Sequence, residues 1–374
     1  MFENDPRGII VPVRIGDDLT ARMSFDTGAY MDCFELDSAF AANKHLELWA
    51  GPPDKLHAVV SSTWIYSPVR QLAIYEKRIG VNIAGMEIEY PFFGIRDMMS
   101  DFSADIDGMF NFPGGDTTHV WELNFENDYL EIHDAAAFRM PEDCHLFPLI
   151  TGYNYPYIRF PLTITTSDGE QITIDEDYLI DTGALMDFAI VNPAPALDFF
   201  RRKEASALIS HGNGFRSRYD VSATVFGDRA IDSMRIYTIE DAPMDMNYVI
   251  GLNFLKRFNV FFDLSTQTVG LQPIDSFKRI IDPNARRFYF SSRFTSDGRQ
   301  FVDKVTPFKN NWYLEAGLRA SDEIVAINGF SVQGLTPENA LKIRDNNTKI
   351  LDIIRDGASM TLTVNIDSND LQGE

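Results

Sequence analysis

The sequence predicts a mainly β protein with two related lobes, followed by a smaller α+β domain. Three observations support this prediction. Most segments are short, rich in Val, Ile, Phe and Tyr, and bounded by Gly, Asp or Pro, which is typical of strands. One motif occurs twice along the chain, and the residues after 275 follow a pattern that is not repeated elsewhere.

Length and composition exclude several classes of protein. The chain has 374 residues, 45% hydrophobic and 24% charged, which is enough apolar material for two or three folded domains. A net charge of -22 repels phosphate groups, so nucleic acids and anionic lipids are not expected partners. Cys33 and Cys144 are too few for a disulfide framework. We expect buried thiols, with one disulfide between them as the alternative.

Two alternatives for localisation follow from the N-terminus and the hydropathy pattern. The segment MFENDPRGII lacks the basic and apolar regions of a secretory signal. The sequence has no apolar stretch near the roughly 20 residues that a membrane helix needs, so no membrane span is expected. The chain as written is expected in the cytoplasm, and in the periplasm or another exported location if a leader was removed.

Strand patterns dominate the first two thirds of the chain, and Asp168-Gly169 is typical of a hairpin turn. Helical periodicity favours two helices, at 194–207 and 339–345. The predicted strands are Gly8–Ile15, Leu19–Phe25, Val69–Ile74, Arg78–Ile83, Met86–Phe93, Tyr157–Thr165, Gln171–Ile174, Asp177–Ile180, Arg218–Val225, Met234–Ile239, Asn259–Asp263 and Thr268–Leu271.

An internal repeat divides the mainly β part into two lobes. FDTGAYMDCF at Phe25–Phe34 matches IDTGALMDFA at Ile180–Ala189, at an offset of 155 residues. Further along, DGMF at Asp107–Phe110 is interpreted as the counterpart of IGLN at Ile250–Asn253. Proline and turn residues cluster near 141–151 and 273–283. We therefore predict an N-terminal lobe over 1–143, a C-terminal lobe over 144–275 and a further domain over 276–374.

The two Asp-Thr-Gly motifs suit amide hydrolysis, which needs a nucleophilic water and a proton for the departing nitrogen. Two carboxylates a few ångströms apart cannot both ionise, so Asp26 and Asp181 would share one proton. The ionised group accepts a proton from the water, and the protonated group polarises the scissile carbonyl. Asp26 and Asp181 are the candidate catalytic residues. The alternative is a pair of ordinary turns inherited by duplication.

The residues that follow each aspartate are candidates for its support. The glycines leave room for a close backbone approach, and the threonines can hydrogen-bond across the axis that relates the two lobes. The alanines are small enough to lie beneath the carboxylates. These candidate residues are Thr27, Gly28, Ala29, Thr182, Gly183 and Ala184.

The repeated Phe/Ile-Asp-Thr-Gly-Ala motif, with YVIGLNFLKRFNVFFD at Tyr248–Asp263, resembles the retropepsin-like and pepsin-like aspartic proteases. The alanine after each glycine resembles the retroviral and bacterial branch more than the pepsins. The resemblance covers roughly residues 8–273 and implies two β-barrel lobes of the acid-protease fold. It also implies a cleft that binds extended peptide or protein substrates, with no metal and no organic cofactor. Because both motifs lie in one chain, we expect a monomer, with pairing of one lobe with its equivalent in another chain as the alternative.

The resemblance also implies flaps over the cleft. Gly212, Asn213 and Gly214 are candidates for the flap tip of the second lobe. Trp64 or Tyr66 could cover the cleft from the first lobe, with core or hairpin packing as the alternative for both.

Both lobes depart from the family pattern. The second signature of the first lobe, Asp107–Asn111, lacks the second glycine position that is often seen, and Asp32 and Asp187 stand where the family usually has Ser or Thr. We expect each aspartate to cap or brace its loop, with substrate binding as the alternative. Because of these departures, a catalytically silent peptide-binding scaffold stays open as a second hypothesis. Scattered histidines without an HExxH motif and the absence of a GxSxG elbow disfavour metal and serine hydrolase sites.

The segment AGLRASDEIVAING at Ala316–Gly329 resembles bacterial-type PDZ domains, with Ser321 in place of a glycine. Asn328-Gly329 predicts a tight hairpin turn, and 336–345 the helix beside a peptide groove. The resemblance implies that a peptide adds to a sheet edge and that backbone N–H groups near 287–294 hold its terminal carboxylate. A purely scaffolding role is the alternative.

Overall fold

The computed structural model describes residues 3–5, 8–16, 19–46, 50–59, 70–98, 106–151, 154–211, 214–240, 247–280, 286–287, 289–307, 311–344 and 346–366. The chain divides into two compact units. The first unit comprises Met1–Phe199, Gly212–Gly214 and Asp220–Pro283, and the second comprises Phe200–His211, Phe215–Tyr219 and Asn284–Glu374. This division into two units does not test the three predicted domains, whose bounds stay a prediction.

The strands of the first half of the chain are β1 Glu3–Asp5, β2 Gly8–Ile15, β3 Leu19–Phe25, β4 Phe34–Asp37, β5 Lys55–Val59, β6 Arg70–Tyr75, β7 Ile79–Ile83, β8 Met86–Tyr90, β9 Phe93–Arg96, β10 Gly108–Phe110, β11 His119–Asn124, β12 Tyr129–Asp134 and β13 His145–Pro148. Further strands are β14 Tyr157–Thr165, β15 Gln171–Asp181, β16 Phe188–Val191, β17 Ala207–His211, β18 Gly214–Val225, β19 Arg229–Ile239, β20 Tyr248–Gly251, β21 Phe258–Asp263 and β22 Thr268–Pro273. The helices of this part are α1 Ser38–Asn43, α2 Leu197–Phe200 and α3 Leu252–Leu255.

Each lobe of the first unit is built on its own sheet. Among the described residues, ten strands form the first sheet in the order β5-β6-β9-β4-β10-β3-β2-β7-β8, with β1 paired to β2. The second lobe repeats the central part of this arrangement as β15-β20-β16-β19. In both lobes the strand that precedes the Asp-Thr-Gly turn pairs in parallel with a short strand that comes much later in the chain.

A third sheet joins the two lobes. Its order is β12-β11-β21-β22-β13, and its central pair is antiparallel, with Trp121 opposite Phe262. Trp121 stacks on Phe25 at a centroid distance of 5.8 Å, and both side chains are fully buried. Because Phe25 is the last residue before Asp26, this packing fixes the end of β3 and the start of the first turn.

The strand register corrects the interpretation of the repeat around Gly108. Phe110 pairs with Phe25 and Ile250 pairs with Ile180, so Asn111 occupies the place of Gly251. The match of Gly108 with Gly251 was therefore wrong. Gly108 is needed for another reason: a Cβ there would lie 2.3 Å from the backbone oxygen of Glu35, on the neighbouring strand.

Most predicted strands are present, and the main differences concern helices. The helix predicted at 194–207 shortens to α2, because Pro195 lacks an N–H and Ala207 already begins β17. The sequence did not predict α1. This helix begins at Ser38 after the N-cap residue Asp37, whose carboxylate accepts the N–H groups of Ala39 and Phe40. The two strands predicted between 171 and 180 form the single strand β15.

The C-terminal unit has an α+β composition. Its strands are β23 Arg286–Arg287, β24 Phe290–Phe294, β25 Gln300–Val305, β26 Glu323–Ile327, β27 Phe330–Ser331, β28 Thr348–Arg355 and β29 Ala358–Asn365, and its helices are α4 Trp312–Glu315 and α5 Pro337–Arg344. In its described part, one sheet runs β24-β25-β26-β28-β29, with β27 on β26, and β17 pairs with β23.

The predicted hairpin turn of this unit is present. Asn328 and Gly329 connect the paired strands β26 and β27, and their φ angles are 51° and 77°. Helix α5 matches the helix predicted at 336–345. Strands fill most of the described part of 287–294, where a carboxylate-binding loop was expected, so that expectation was wrong. The fold is mainly β with an α+β C-terminal unit, as the sequence predicts. In the described residues, no helix has the length and apolar character to span a membrane.

Candidate active site

The two Asp-Thr-Gly turns meet, so that the carboxyl group of Asp181 lies against Gly28 and that of Asp26 lies against Gly183. The two residues are 7% and 6% exposed, so their carboxyl groups are largely removed from water. The backbone N–H of Gly28 donates to Oδ1 of Asp26 at 2.9 Å, and that of Gly183 donates to Oδ1 of Asp181 at 2.9 Å. The contacts of each carboxylate thus repeat across the lobes.

A reciprocal hydrogen-bond network lies beneath the carboxyl groups. The backbone N–H of Thr27 donates to Oγ1 of Thr182 at 3.0 Å, and the reverse bond has the same length. Each hydroxyl in turn donates across the lobes at 2.8 Å, Thr27 to the carbonyl of Ile180 and Thr182 to that of Phe25. Both threonines are fully buried. The predicted hydrogen bonds across the axis are therefore present.

The glycine of each turn lies against the carboxylate of the other lobe. A Cβ added to Gly28 would come within 2.3 Å of Cγ of Asp181, and one added to Gly183 within 2.6 Å of Cγ of Asp26. Neither distance is compatible with a side chain. The small residue type is thus required by the close approach of the two lobes. Ala29 is half-buried and Ala184 is buried, and the N–H of Ala184 donates to Oδ1 of Asp181 at 2.9 Å.

Burial is the main cause that raises the pKa of both aspartates. For Asp26, the N–H groups of Gly28 and Ala29, the hydrogen bond from Asp181 and the charge of Arg96 act in the opposite direction and lower the pKa. For Asp181, repulsion by Asp26 adds to burial, so its pKa lies well above the ordinary value. Since both effects disfavour two negative charges, they favour a state in which the pair shares one proton.

A buried ion pair accompanies the first turn. Nε of Arg96 lies 2.6 Å from Oε2 of Glu35, and both side chains are almost fully buried. The hydroxyl of Tyr30 donates to Oε1 of the same glutamate at 3.2 Å. Sequence reasoning missed this pair, because its partners are 61 positions apart and nothing in the sequence links them.

Asn111 supports the first turn with its side chain. Its Nδ2 donates to the carbonyl of Ala29 at 2.8 Å and reaches the carbonyl of Thr27 at 3.5 Å. Its Oδ1 accepts the N–H of Phe112 at 2.8 Å. In the second lobe, the matching carbonyl of Ala184 is satisfied by the backbone N–H of Leu252 at 2.7 Å. Asn111 thus supplies the carbonyl of Ala29 with a side-chain donor, whereas a backbone N–H serves the equivalent carbonyl in the second lobe.

Asp32 and Asp187 occupy matching positions but have different surroundings. Oδ1 of Asp32 accepts the N–H of Gly114 at 2.9 Å near the surface. Asp187 is fully buried and pairs with the guanidinium groups of Arg257 and Arg279. Both contacts agree with the expected bracing role. No local pattern pointed to the two arginines, which are 70 and 92 positions away from Asp187.

Of the five candidate flap positions, only Gly214 lies within the described residues. Trp64 and Tyr66 fall outside the described residues, between the paired strands β5 and β6, which meet last at Val59 and Arg70. Gly212 and Asn213 also lie outside the described residues, and Gly214 is the first residue of β18. Their role in covering a cleft stays a prediction.

The two cysteines form no disulfide. Cys33 is buried and Cys144 is half-buried. Burial raises the pKa of Cys144 to about 12, so its thiol stays protonated at neutral pH.

One group of side chains among the described residues has ligand atoms close enough for a metal ion: Glu122, Glu131 and His133. Nε2 of His133 lies 2.7 Å from Glu122, and its Nδ1 lies 3.8 Å from Glu131. Tyr129 and Asn124 donate to the other oxygen of Glu122. Because both ring nitrogens face carboxylates, this geometry fits an ion-pair network better than a metal site, in which one nitrogen would coordinate.

No protein-family model and no curated protein matches the sequence. Among solved structures, the chain is similar to an aspartic proteinase from Irpex lacteus, with a TM-score of 0.44 and 14% identity. The similarity covers 73% of this chain and 96% of that protein.

Proposed function

We propose that the chain is an aspartic endopeptidase of the retropepsin-like and pepsin-like type, with Asp26 and Asp181 as its catalytic residues. The observation that carries the proposal is the pair of buried carboxyl groups, which the two turns bring together and hold by matching backbone contacts in both lobes. An ordinary structural turn has no need of a second buried carboxyl group beside it, because each carboxylate raises the cost of burying the other.

The chemistry follows from one proton on two carboxyl groups. A water between them loses a proton to the ionised carboxylate and attacks the scissile carbonyl carbon. The protonated carboxyl group donates its proton to the carbonyl oxygen, which gives a neutral tetrahedral diol. The diol then collapses: the C–N bond breaks, a hydroxyl proton returns to one carboxylate, and the departing nitrogen takes the proton held by the other. The dyad regains its single proton.

The N–H contacts to Asp26 and Asp181 support this cycle because they fix the carboxylate oxygens without removing their charge. The threonine network couples the two turns, so that neither aspartate can move alone. Preorganisation of this kind is worth much of the rate enhancement of an enzyme, since small misplacements cost activity.

We extend the proposal to the C-terminal unit, which we take to be PDZ-like and to bind or present peptides. The hairpin turn at Asn328-Gly329 supports this view, and so does Ser321, which has a φ of 73° at the position where the motif has glycine. The second hypothesis is a catalytically silent scaffold, in which the pair binds a peptide but does not hydrolyse it.

Cleavage of a mixed peptide library between about pH 3 and 8 tests the proposal, since this range brackets the titration of a carboxyl dyad. The purified full chain is compared with Asp26→Asn and with Asp181→Asn. We expect cleavage by the wild type and none by either variant. Binding of library peptides without cleavage at any pH would support the scaffold. Loss of activity in only one variant would contradict the shared role of the two aspartates.

A further inference from the structure

The second active turn is held by a segment that follows the last strand of its lobe. This segment, which we call the strap, comprises residues 277–280: Phe277, Lys278, Arg279 and Ile280. It follows β22 and lies shortly before Asn284, where the C-terminal unit resumes.

The loop after Asp181 is fixed through its carbonyl groups. All four carbonyls from Ala184 to Asp187 accept hydrogen bonds from residues 251–253. Backbone N–H groups serve three of them: Leu252 donates to Ala184 at 2.7 Å, Asn253 to Met186 at 3.1 Å and Gly251 to Asp187 at 3.0 Å. Nδ2 of Asn253 serves the fourth, the carbonyl of Leu185, at 2.7 Å.

The strap holds Asn253 from the other side. The N–H of Ile280 donates to Oδ1 of Asn253 at 2.6 Å, and Nδ2 of Asn253 donates to the carbonyl of Ile280 at 2.8 Å. This two-way contact fixes the amide plane of Asn253, which is 2% exposed. The orientation that serves Leu185 is therefore set by the backbone of the strap.

Arg279 gives the strap a second contact with the same loop. Its guanidinium pairs with the fully buried carboxylate of Asp187, and its Nη2 donates to the carbonyl of Ser233 at 2.6 Å. The ring of Phe277 packs against both guanidinium groups, with its centroid 3.8 Å from Cζ of Arg257 and 5.5 Å from Cζ of Arg279. Arg257 and Arg279 together neutralise the carboxylate of Asp187, which would be costly to bury alone.

We propose that Arg279 and the backbone of Ile280 are positioning groups for the loop that carries Asp181. They act through Asp187 and Asn253, and they touch neither substrate nor the reacting atoms. This inference rests on the proposed function. The first turn offers a comparison, because Asp32, at the position equivalent to Asp187, accepts a backbone N–H from Gly114.

The test compares the full-length wild type with Arg279→Ala, Arg279→Lys and the control Lys278→Ala, whose side chain is exposed in the same strap. We measure kcat and KM for a cleaved peptide, and hydrogen exchange of the amides of Ala184 and Leu252. We expect Arg279→Ala to lower kcat by at least about tenfold, with KM within about twofold, since a small misplacement of a catalytic group affects the chemical step most. Arg279→Lys should recover part of kcat, and Lys278→Ala should match the wild type.

Hydrogen exchange separates this inference from the proposed function. Faster exchange at Ala184 and Leu252 in Arg279→Ala supports the positioning role of the strap, even if the wild type cleaves no peptide. Unchanged kcat and unchanged exchange in a folded Arg279→Ala would overturn it. If Arg279→Ala does not fold, the test uses Ile280→Pro, which removes the N–H that donates to Asn253. The kcat of this variant and the hydrogen exchange of its Ala184 and Leu252 amides are then compared with those of the wild type.

Discussion

Thr27 and Thr182 lie 155 residues apart in the sequence, yet each accepts the backbone N–H of the other on its hydroxyl oxygen at 3.0 Å. The two bonds are related by the same approximate symmetry that relates the lobes. They place the two turns in a fixed relation, so the separation of the carboxyl groups is set by the buried threonines as well as by the aspartates.

Thr182→Ala should destabilise the chain by about 1–3 kcal/mol, because it leaves the buried N–H of Thr27 and the carbonyl of Phe25 without their partners. Thr182→Ser keeps the hydroxyl and should retain most of the stability. Denaturant unfolding measures both changes. The control is Thr163→Ala, which removes a surface hydroxyl that lies 2.9 Å from that of Thr173. Equal effects of Thr182→Ala and Thr163→Ala would contradict the role of the network.

Asp181→Asn should raise stability at neutral pH while it removes activity. Burial and repulsion by Asp26 raise the pKa of Asp181 in the folded state well above its ordinary value of 3.8. A raised carboxyl pKa gives stability that is fully present below the unfolded value and is lost as pH rises through the folded value. The variant carries no such penalty, so its advantage over the wild type should grow from pH 4 to pH 7.

The measurement is the free energy of unfolding of both proteins at the two pH values. The exposed Asp228, changed to Asn, is the control for the loss of one surface charge. If the difference in the free energy of unfolding between Asp181→Asn and the wild type stays constant with pH, the pKa of Asp181 is not raised in the folded state.

Gly28→Ala should abolish peptide cleavage, since the new Cβ would lie 2.3 Å from Cγ of Asp181 and must push the two turns apart. A shift of this kind is expected to cost at least about 100-fold in kcat/KM. Gly80→Ala is the matched control, because a Cβ at that exposed strand position has nothing within 4 Å. Full activity of Gly28→Ala would show that the carboxyl groups do not need their close approach.

Asn111→Asp should weaken the first turn more than the second. The new oxygen would face the carbonyls of Ala29 and Thr27, which now receive Nδ2 at 2.8 Å and 3.5 Å. We expect a loss of about 2–3 kcal/mol, the cost of an unmatched buried polar group. Asn365→Asp, at an exposed position that accepts a hydrogen bond, is the control. Hydrogen exchange of the Asp32 amide, compared with that of Ala184, would locate the effect.

Ser321→Gly should stabilise the C-terminal unit by about 0.5–1 kcal/mol, because glycine adopts a left-handed conformation without the steric cost of a Cβ. The φ of Ser321 is 73°. Ser331→Gly, in the strand β27, should instead destabilise. Hydrogen exchange of the β26 and β28 amides in the full chain reports the local change. A loss of protection in Ser321→Gly would contradict the prediction.

Local patterns in the sequence were enough for the strands and for the candidate catalytic pair. Strands are signalled by residues that are close in sequence: apolar residues alternate within a strand, and Gly, Asp or Pro mark its ends. The strands β2, β3 and β14 are therefore found where this local pattern predicts them. The repeated Asp-Thr-Gly-Ala motif singled out both aspartates as candidates, because the same short segment occurs twice in the chain.

Tertiary structure decided what holds those aspartates in place. The counterpart of Gly251 is Asn111 and not Gly108. This equivalence follows from the register of the parallel strand pairs, which comparison of the two sequence segments does not reveal. Arg279 contacts Asp187 across 92 positions because the strap, which follows the last strand of the lobe, packs onto the loop that contains Asp187. Such contacts depend on how packed strands bring distant segments together, so the sequence by itself determined the catalytic candidates and only the fold determined their support.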